Sequence, residues 1–283
     1  MASVVFCVAR PAPKKSFFGF FIGMDTPTLV KIESVSKQYG TNGNSVLALR
    51  DVSLDVRAGE FLALIGPSGC GKSTLLKLVG DLLKPSEGYI SINGRTPHAA
   101  RQSRDCGIVF QMPTLMEWRT IARNIELPLE VVGTPHAERE QRSAELLDML
   151  RLRDFAARYP DELSVGMQQQ VAIARALADR PRILLMDEPF GALDEITRER
   201  LGRELLDIWQ RARVTILFVT HSIDEAVMLS TRVAVLTPRP GHIAQIIDID
   251  LPRPRSADMR ETPQYAQHIR LVRDALRATG GIV

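Results

Sequence analysis

Apolar and polar residues alternate from Leu29 to Val35, the pattern of a strand with one buried face. A turn-rich stretch, Gly40 to Ser45, separates it from a second strand region, Val46 to Val56. After the turn Ala58-Gly59-Glu60 the pattern changes. Phe61-Leu62-Ala63-Leu64-Ile65 is continuously apolar, as in a strand covered on both faces. A glycine-rich loop follows, and the spacing then predicts a helix over Ser73 to Leu83, broken by Lys84-Pro85-Ser86-Glu87-Gly88. Tyr89 to Gly94 reads as a strand ending in a turn. Helical periodicity covers about residues 134–178, where Leu146, Leu147 and Leu150 share a face. Ile183 to Met186, Val214 to Val219 and Arg232 to Leu236 are short apolar strands. Gln264 to Ala278 reads as an amphipathic helix with Ile269, Val272 and Leu276 on one side. Alternating strands and helices predict an α/β fold with a mainly parallel sheet.

Composition narrows the class. Hydrophobic residues make up 45% and charged residues 24% of the 283, ordinary globular usage that argues against a mostly disordered chain. The net charge of +3 is too small to imply a nucleic-acid partner. Cys7, Cys70 and Cys106 form neither a disulfide framework nor a zinc spacing, which suits a reducing compartment. No apolar run reaches the roughly 18 residues of a membrane span. Met1 to Met24 holds two short apolar runs with Arg10, Lys14 and Lys15 between them. A secretory signal has the opposite order, charges first and then one apolar stretch. A disordered tail, a start at Met24, or a membrane-surface contact all fit this segment.

The glycine-rich loop carries the clearest chemistry. Gly66-Pro67-Ser68-Gly69-Cys70-Gly71-Lys72-Ser73 fits G-x-x-x-x-G-K-[ST] between a buried strand and a helix. Glycines let successive backbone N–H groups turn inward around phosphate oxygens, and the helix that follows points its positive end at the same anion. Lys72 adds a charge that can reach β- and γ-phosphates, and the Ser73 hydroxyl is a hard ligand for Mg²⁺. Cys70 reads as a passive loop residue, at a position that would make the loop sensitive to alkylation. A second signal is the apolar strand Ile183 to Met186 ending in Asp187-Glu188. Asp187 is placed for the Mg²⁺ shell and Glu188 to polarise a water.

Leu163-Ser164-Val165-Gly166-Met167-Gln168-Gln169, with Val171 to Leu177 after it, resembles the signature motif and helix of the ABC (ATP-binding cassette) ATPases. The family's other motifs follow in its order. Tyr39 is similar to the adenine-stacking aromatic, Gln111 to the Q-loop glutamine, Gly191-Ala192-Leu193-Asp194 to the D-loop and His221 to the switch histidine. The resemblance covers about residues 28–250. It implies a P-loop NTPase with a RecA-like core, an antiparallel β subdomain and an inserted helical subdomain at about 112–178. On this reading 28–254 is the ATPase domain, 1–27 an extension and 255–283 a helical tail. It further implies ATP and Mg²⁺ as cofactors and a head-to-tail homodimer with ATP between the cassettes. One subunit would supply Tyr39, Gly66 to Thr74, Asp187 and Glu188, with Ser73, Asp187 and Gln111 around the metal. The other would supply Ser164, Val165, Gly166 and Met167, where Ser164 also suits a helix N-cap. His221 would hold the γ-phosphate and attacking water, and Asp194 would lie at the dimer interface. Taken singly, Tyr39 is a packing residue as readily as a base stacker.

Two positions depart from the family pattern. Val165 replaces the first signature glycine, and Gln170 stands where arginine is usual. Val165 either points away harmlessly or crowds the phosphate contact, because a β-branched residue disfavours positive φ. The second case would make the protein a slow nucleotide-gated regulatory or binding module. The interval from Lys72 to Asp187 has no room for the long coiled coil of SMC-type ATPases, and only one cassette is present. The chain after His221 is too short for most regulatory domains of sugar and methionine importers. Trp118 to Ile125, Leu127-Pro128-Leu129-Glu130, Met167-Gln168-Gln169, Pro238-Arg239-Pro240-Gly241 and Ile247 to Pro252 resemble the nitrate/sulfonate/taurine importer family. That likeness implies a peripheral subunit on the cytoplasmic face of the bacterial inner membrane. It implies integral membrane permease subunits as partners, a periplasmic solute-binding protein acting indirectly, and no nucleic acid. Trp118 is then a permease contact or a core residue.

Overall fold

The computed structural model describes residues 27–40 and 45–280. The segment to Met24 and the turn at 41–44 lie outside these described residues. Two sheets form the frame. Strands β1 (Thr28–Tyr39), β2 (Val46–Arg57) and β4 (Glu87–Ile92) make an antiparallel sheet in the order β2-β1-β4. The second sheet has six strands: β3 (Phe61–Ile65), β5 (Cys106–Val109), β6 (Ile183–Asp187), β7 (Thr215–Val219), β8 (Arg232–Leu236) and β9 (Ile243–Asp248). Its order is β5-β6-β7-β3-β8-β9, parallel except for the antiparallel edge strand β9.

The continuous apolar strands are explained by two cores. Phe61, Ala63 and Ile65 of β3 belong to one buried cluster, with Leu184, Met186, Ile216 and Phe218. Leu62 and Leu64 belong to the other, with Ile183, Leu185, Leu217 and Val219. The first core is closed by α3 (Ile121–Val131), α4 (His136–Met149), α5 (Val165–Leu177), α6 (Glu195–Ala212), α7 (Ile223–Leu229) and α8 (Pro263–Ala278). The second is closed by the antiparallel sheet and α1 (Lys72–Val79). The short helix α2 (Pro97–Gln102) is capped by Thr96.

Three boundaries differ from the sequence pattern. Helix α1 stops at Val79 rather than Leu83, because Gly80 caps it and Asp81 turns the chain at φ 57. The periodic stretch 134–178 is two helices, parted where Pro160 opens one of two short 3₁₀ turns. Helix α3 precedes them and contains Pro128, a residue that obscures a helix in sequence. Helix α8 buries Val272 and Leu276 against the first core. Just before it, the buried Arg255 donates to the carbonyls of Val227, Met228 and Ser230 at the end of α7.

Candidate active site

The carboxyl ends of β3, β5, β6 and β7 lie side by side, the usual ligand edge of an open parallel sheet. The loop from Gly66 to Gly71 leaves β3 there. Its glycines are required by space and by backbone. A Cβ at Gly66 would lie 2.9 Å from the Leu236 carbonyl oxygen, and one at Gly71 would lie 2.5 Å from Leu49 Cδ2. Gly69 and Gly71 have φ of 73 and 110, where side chains are strained. The Cys70 N–H closes a turn on the Pro67 carbonyl at 3.3 Å, which leaves Ser68 at its tip. Burial pushes the Cys70 thiol up and makes it a poor nucleophile, so the loop cysteine is less open to alkylation than its position in the sequence suggests.

Lys72 opens α1. It is only 5% exposed, and its Nζ donates to the carbonyls of Gly66 at 2.8 Å and Pro67 at 3.1 Å. Among the described residues no carboxylate neutralises it. A buried, unneutralised cation ringed by backbone dipoles is a site for an anion.

Beside the loop is a cleft of about 320 Å³ whose lining includes Tyr39, Val46, Ser68, Thr74, Glu188 and Arg239. Tyr39 ends β1, is 39% exposed, and its hydroxyl shares a 3.2 Å hydrogen bond with Thr74 Oγ1. An aromatic side chain is thereby held at the cleft, partly open to solvent.

Ser73 Oγ donates to Asp187 Oδ1 at 2.7 Å, joining α1 to the end of β6. Successive strand residues face opposite sides. Glu188 escapes that alternation by adopting φ 46, an uncommon conformation for glutamate. Its N–H bonds the Val219 carbonyl at 3.0 Å and its carbonyl accepts from Gly191 at 3.1 Å. Glu188 thereby lines the cleft, and Asp187 reaches it through Ser73. His221 Nδ1 lies 3.3 Å from Glu188 Oε2. A Cβ at Gly191 would lie 3.3 Å from Gln111 Nε2 and 3.8 Å from Glu188 Oε2, so these three residues also converge. A hydroxyl beside a carboxylate is a hard oxygen donor set suited to Mg²⁺. Among the described residues no group of three or more His, Cys, Asp and Glu could hold a metal alone. Phosphate oxygens or water would complete its shell.

The signature residues stand apart from this cleft. Ser164 caps α5, its Oγ accepting from the Met167 N–H at 3.4 Å. Val165 is the first helical residue, without positive φ, and is 50% exposed, so it strains nothing within the chain. Gly166 is buried, and a Cβ there would lie 2.6 Å from Thr197 Cγ2 of α6. Gln170 Nε2 donates to Glu204 Oε2 at 2.5 Å, a neutral replacement for an ion pair. Asp194 caps α6, and the Thr197 N–H it accepts holds its carboxyl below the usual range. None of Ser164, Val165, Gly166, Met167 and Asp194 lines the cleft.

Several residues organise the site without a role that the sequence assigned to them. Gln169 Nε2 donates to the Phe110 carbonyl at 3.1 Å, and Arg175 donates to the carbonyls of Pro113 and Thr114, so α5 grips the segment around Gln111. Buried Asn124 bonds the backbone of Met116, Arg119 and Thr120. Glu225, its pKa raised by burial, accepts from Thr220 beside His221 and lies 3.5 Å from Arg198, which in turn donates to the Leu193 carbonyl. Trp118 is 75% exposed and so is not a core residue.

The family model for ABC transporter ATP-binding domains matches residues 49–191. The chain belongs to the ABC transporter family. It resembles the nitrate import ATP-binding protein NrtC of Synechococcus elongatus, 49% identical over 79% of this chain and 34% of that longer protein. It also resembles the taurine import ATP-binding protein TauB of Rhizobium johnstonii, 41% identical over 89% of this chain and 97% of the relative. Among solved structures it matches the dimeric post-hydrolysis ATP-binding cassette MJ0796 bound to ADP and Pi. The TM-score is 0.69 and the identity 35%, over 78% of this chain and 99% of that one. As an ABC transporter ATP-binding chain it is an ATPase with the family's P-loop fold. Among the described residues no helix is long and apolar enough to cross a membrane.

Proposed function

We propose that the protein is the ATP-hydrolysing subunit of an importer of the nitrate/sulfonate/taurine type, working as a head-to-tail homodimer on the cytoplasmic face of a bacterial inner membrane. The buried Lys72 cation, held by carbonyls of its own loop and no carboxylate, carries the nucleotide part of this reading. On ATP binding Lys72 exchanges those carbonyls for β- and γ-phosphate oxygens, and the loop N–H groups and the N-terminus of α1 surround the same anion. Tyr39 stacks on the adenine. Ser73, Asp187 and Gln111 would hold Mg²⁺, which would supply positive charge to neutralise the phosphates. Glu188 accepts a proton from the attacking water and His221, 3.3 Å from it, orients that water and the γ-phosphate. The partner cassette supplies Ser164 and the N-terminus of α5 to the same γ-phosphate, and Asp194 faces that partner.

Trp118 and Met112 are exposed on the segment that α5 and Asn124 hold in place, and they form the permease contact. The transported anion is read by the permease and a periplasmic binding protein, outside this chain. Exposed Val165, with ordinary helical backbone, supports a working signature loop over a weakened regulatory module. The test is steady-state Mg²⁺-ATP hydrolysis against protein concentration for the wild type and Glu188→Gln. A rate rising faster than linearly, and reduced by about 10²–10⁴-fold in the variant, is expected. A linear rate shared by both proteins would overturn the reading.

A further inference from the structure

The turn between β8 and β9 reaches back to the phosphate loop. Arg239 Nε and Nη2 both donate to the Gly69 carbonyl, at 3.2 and 3.1 Å. The turn is anchored next to that contact. The Gly241 N–H donates to the Ala48 carbonyl at 2.9 Å, and the Gly241 carbonyl accepts from the Arg50 N–H at 3.0 Å. A Cβ at Gly241 would lie 2.0 Å from the Cys70 carbonyl oxygen, so the two backbones are in direct contact. Gly69 is the positive-φ residue of the Pro67–Cys70 turn. A Cβ on it would lie 3.1 Å from Arg239 Nη2, so the guanidinium lies across the space a side chain would take.

We propose that Arg239 is a positioning residue for nucleotide binding: its fork holds the Gly69 carbonyl and thereby fixes the turn that presents the phosphate loop's N–H groups. This rests on the ATP-binding reading of the cleft. A planar guanidinium can place two donors on one oxygen, whereas a lysine ammonium keeps the charge without that geometry. Lys72 and Arg239 divide the loop carbonyls between them. Lys72 takes Gly66 and Pro67, which nucleotide releases, while Arg239 takes Gly69 and keeps it.

The experiment is calorimetric titration of ADP and ATP with Mg²⁺ into wild type, Arg239→Ala and Arg239→Lys, with KM and kcat measured on the same proteins. Arg239→Ala is expected to weaken both nucleotides together by about 10–150-fold, the range for lost hydrogen bonds to a charged group. KM for ATP rises by more than kcat falls, and the melting temperature shows that the protein remains folded. Arg239→Lys is expected to recover little. Wild-type affinity in Arg239→Ala would overturn the proposal, as would full recovery in Arg239→Lys, which would make charge alone sufficient. A loss of kcat at unchanged KM would overturn it too, by placing the residue in the chemical step. A wild type that binds neither nucleotide would remove the ATP-binding reading itself, and the proposal with it.

Discussion

The phosphate loop and the signature loop are both helix N-termini preceded by a tight turn, yet this chain treats them oppositely. Around the phosphate loop the side chains have partners within the chain: Lys72 on two carbonyls, Ser73 on Asp187, Tyr39 on Thr74. Around the signature loop the chain supplies only the cap and the packing behind it. Ser164 and Val165 are exposed, and neither lines the nucleotide cleft. One loop is a finished anion half-site and the other a helix end presented outward. On the proposed function, the difference would give a chain that binds nucleotide alone but needs a second copy to hydrolyse it.

The largest effect that could break this contrast is expected at Tyr39. Tyr39→Ala should weaken ATP binding by about 1–3 kcal/mol, the range for aromatic stacking on a base, without abolishing it. Unchanged affinity by equilibrium titration would take Tyr39 out of the site. Behind the signature loop, Gly166→Ala places a methyl 2.6 Å from Thr197 Cγ2. It should cost about 1–3 kcal/mol of folding stability through overpacking, read by thermal or urea denaturation. An unshifted midpoint would mean that α5 and α6 are looser than their contact shows. The smallest effect is expected one residue earlier. Val165→Gly should change hydrolysis by no more than about twofold, worth roughly 0.4 kcal/mol of barrier. A many-fold acceleration would instead favour the weakened regulatory module.

Much of the phosphate half was legible in the sequence because its chemistry is contiguous. Eight consecutive residues from Gly66 to Ser73 both make the loop and supply its ligands, and the strand before Asp187 announces its own end. The convergence of Gln111, Glu188 and His221 became legible only through the order of family motifs, since each leaves a different strand. The braces gave no such signal of what they hold, although Arg239, Asn124 and Arg175 fall inside segments that resemble family motifs. Arg239, Asn124, Arg175 and the Arg198–Glu225 pair act on backbone or charges distant in sequence, and an isolated arginine or asparagine does not declare its target. Four-residue β5 is too short to show a period, and Gly107 within it exists for close contact, since a Cβ there would lie 2.4 Å from the Ala176 carbonyl oxygen. Helix α6 is a different case. Leu201, Leu205 and Ile208 give it an apolar stripe, but charged residues dominate the stretch and hide it in the sequence.

The central claim is that each hydrolytic site is built from the phosphate half of one copy and the signature half of another. A mixing experiment tests it most directly. Lys72→Ala disables the first half and Ser164→Arg the second, and each variant alone should hydrolyse ATP at background. In a head-to-tail dimer of one copy of each, one site carries both defects and the other carries neither. The account predicts that hydrolysis reappears when the two inactive proteins are mixed, and that it scales with the product of their concentrations. Continued inactivity of the mixture, with both variants folded, would contradict it.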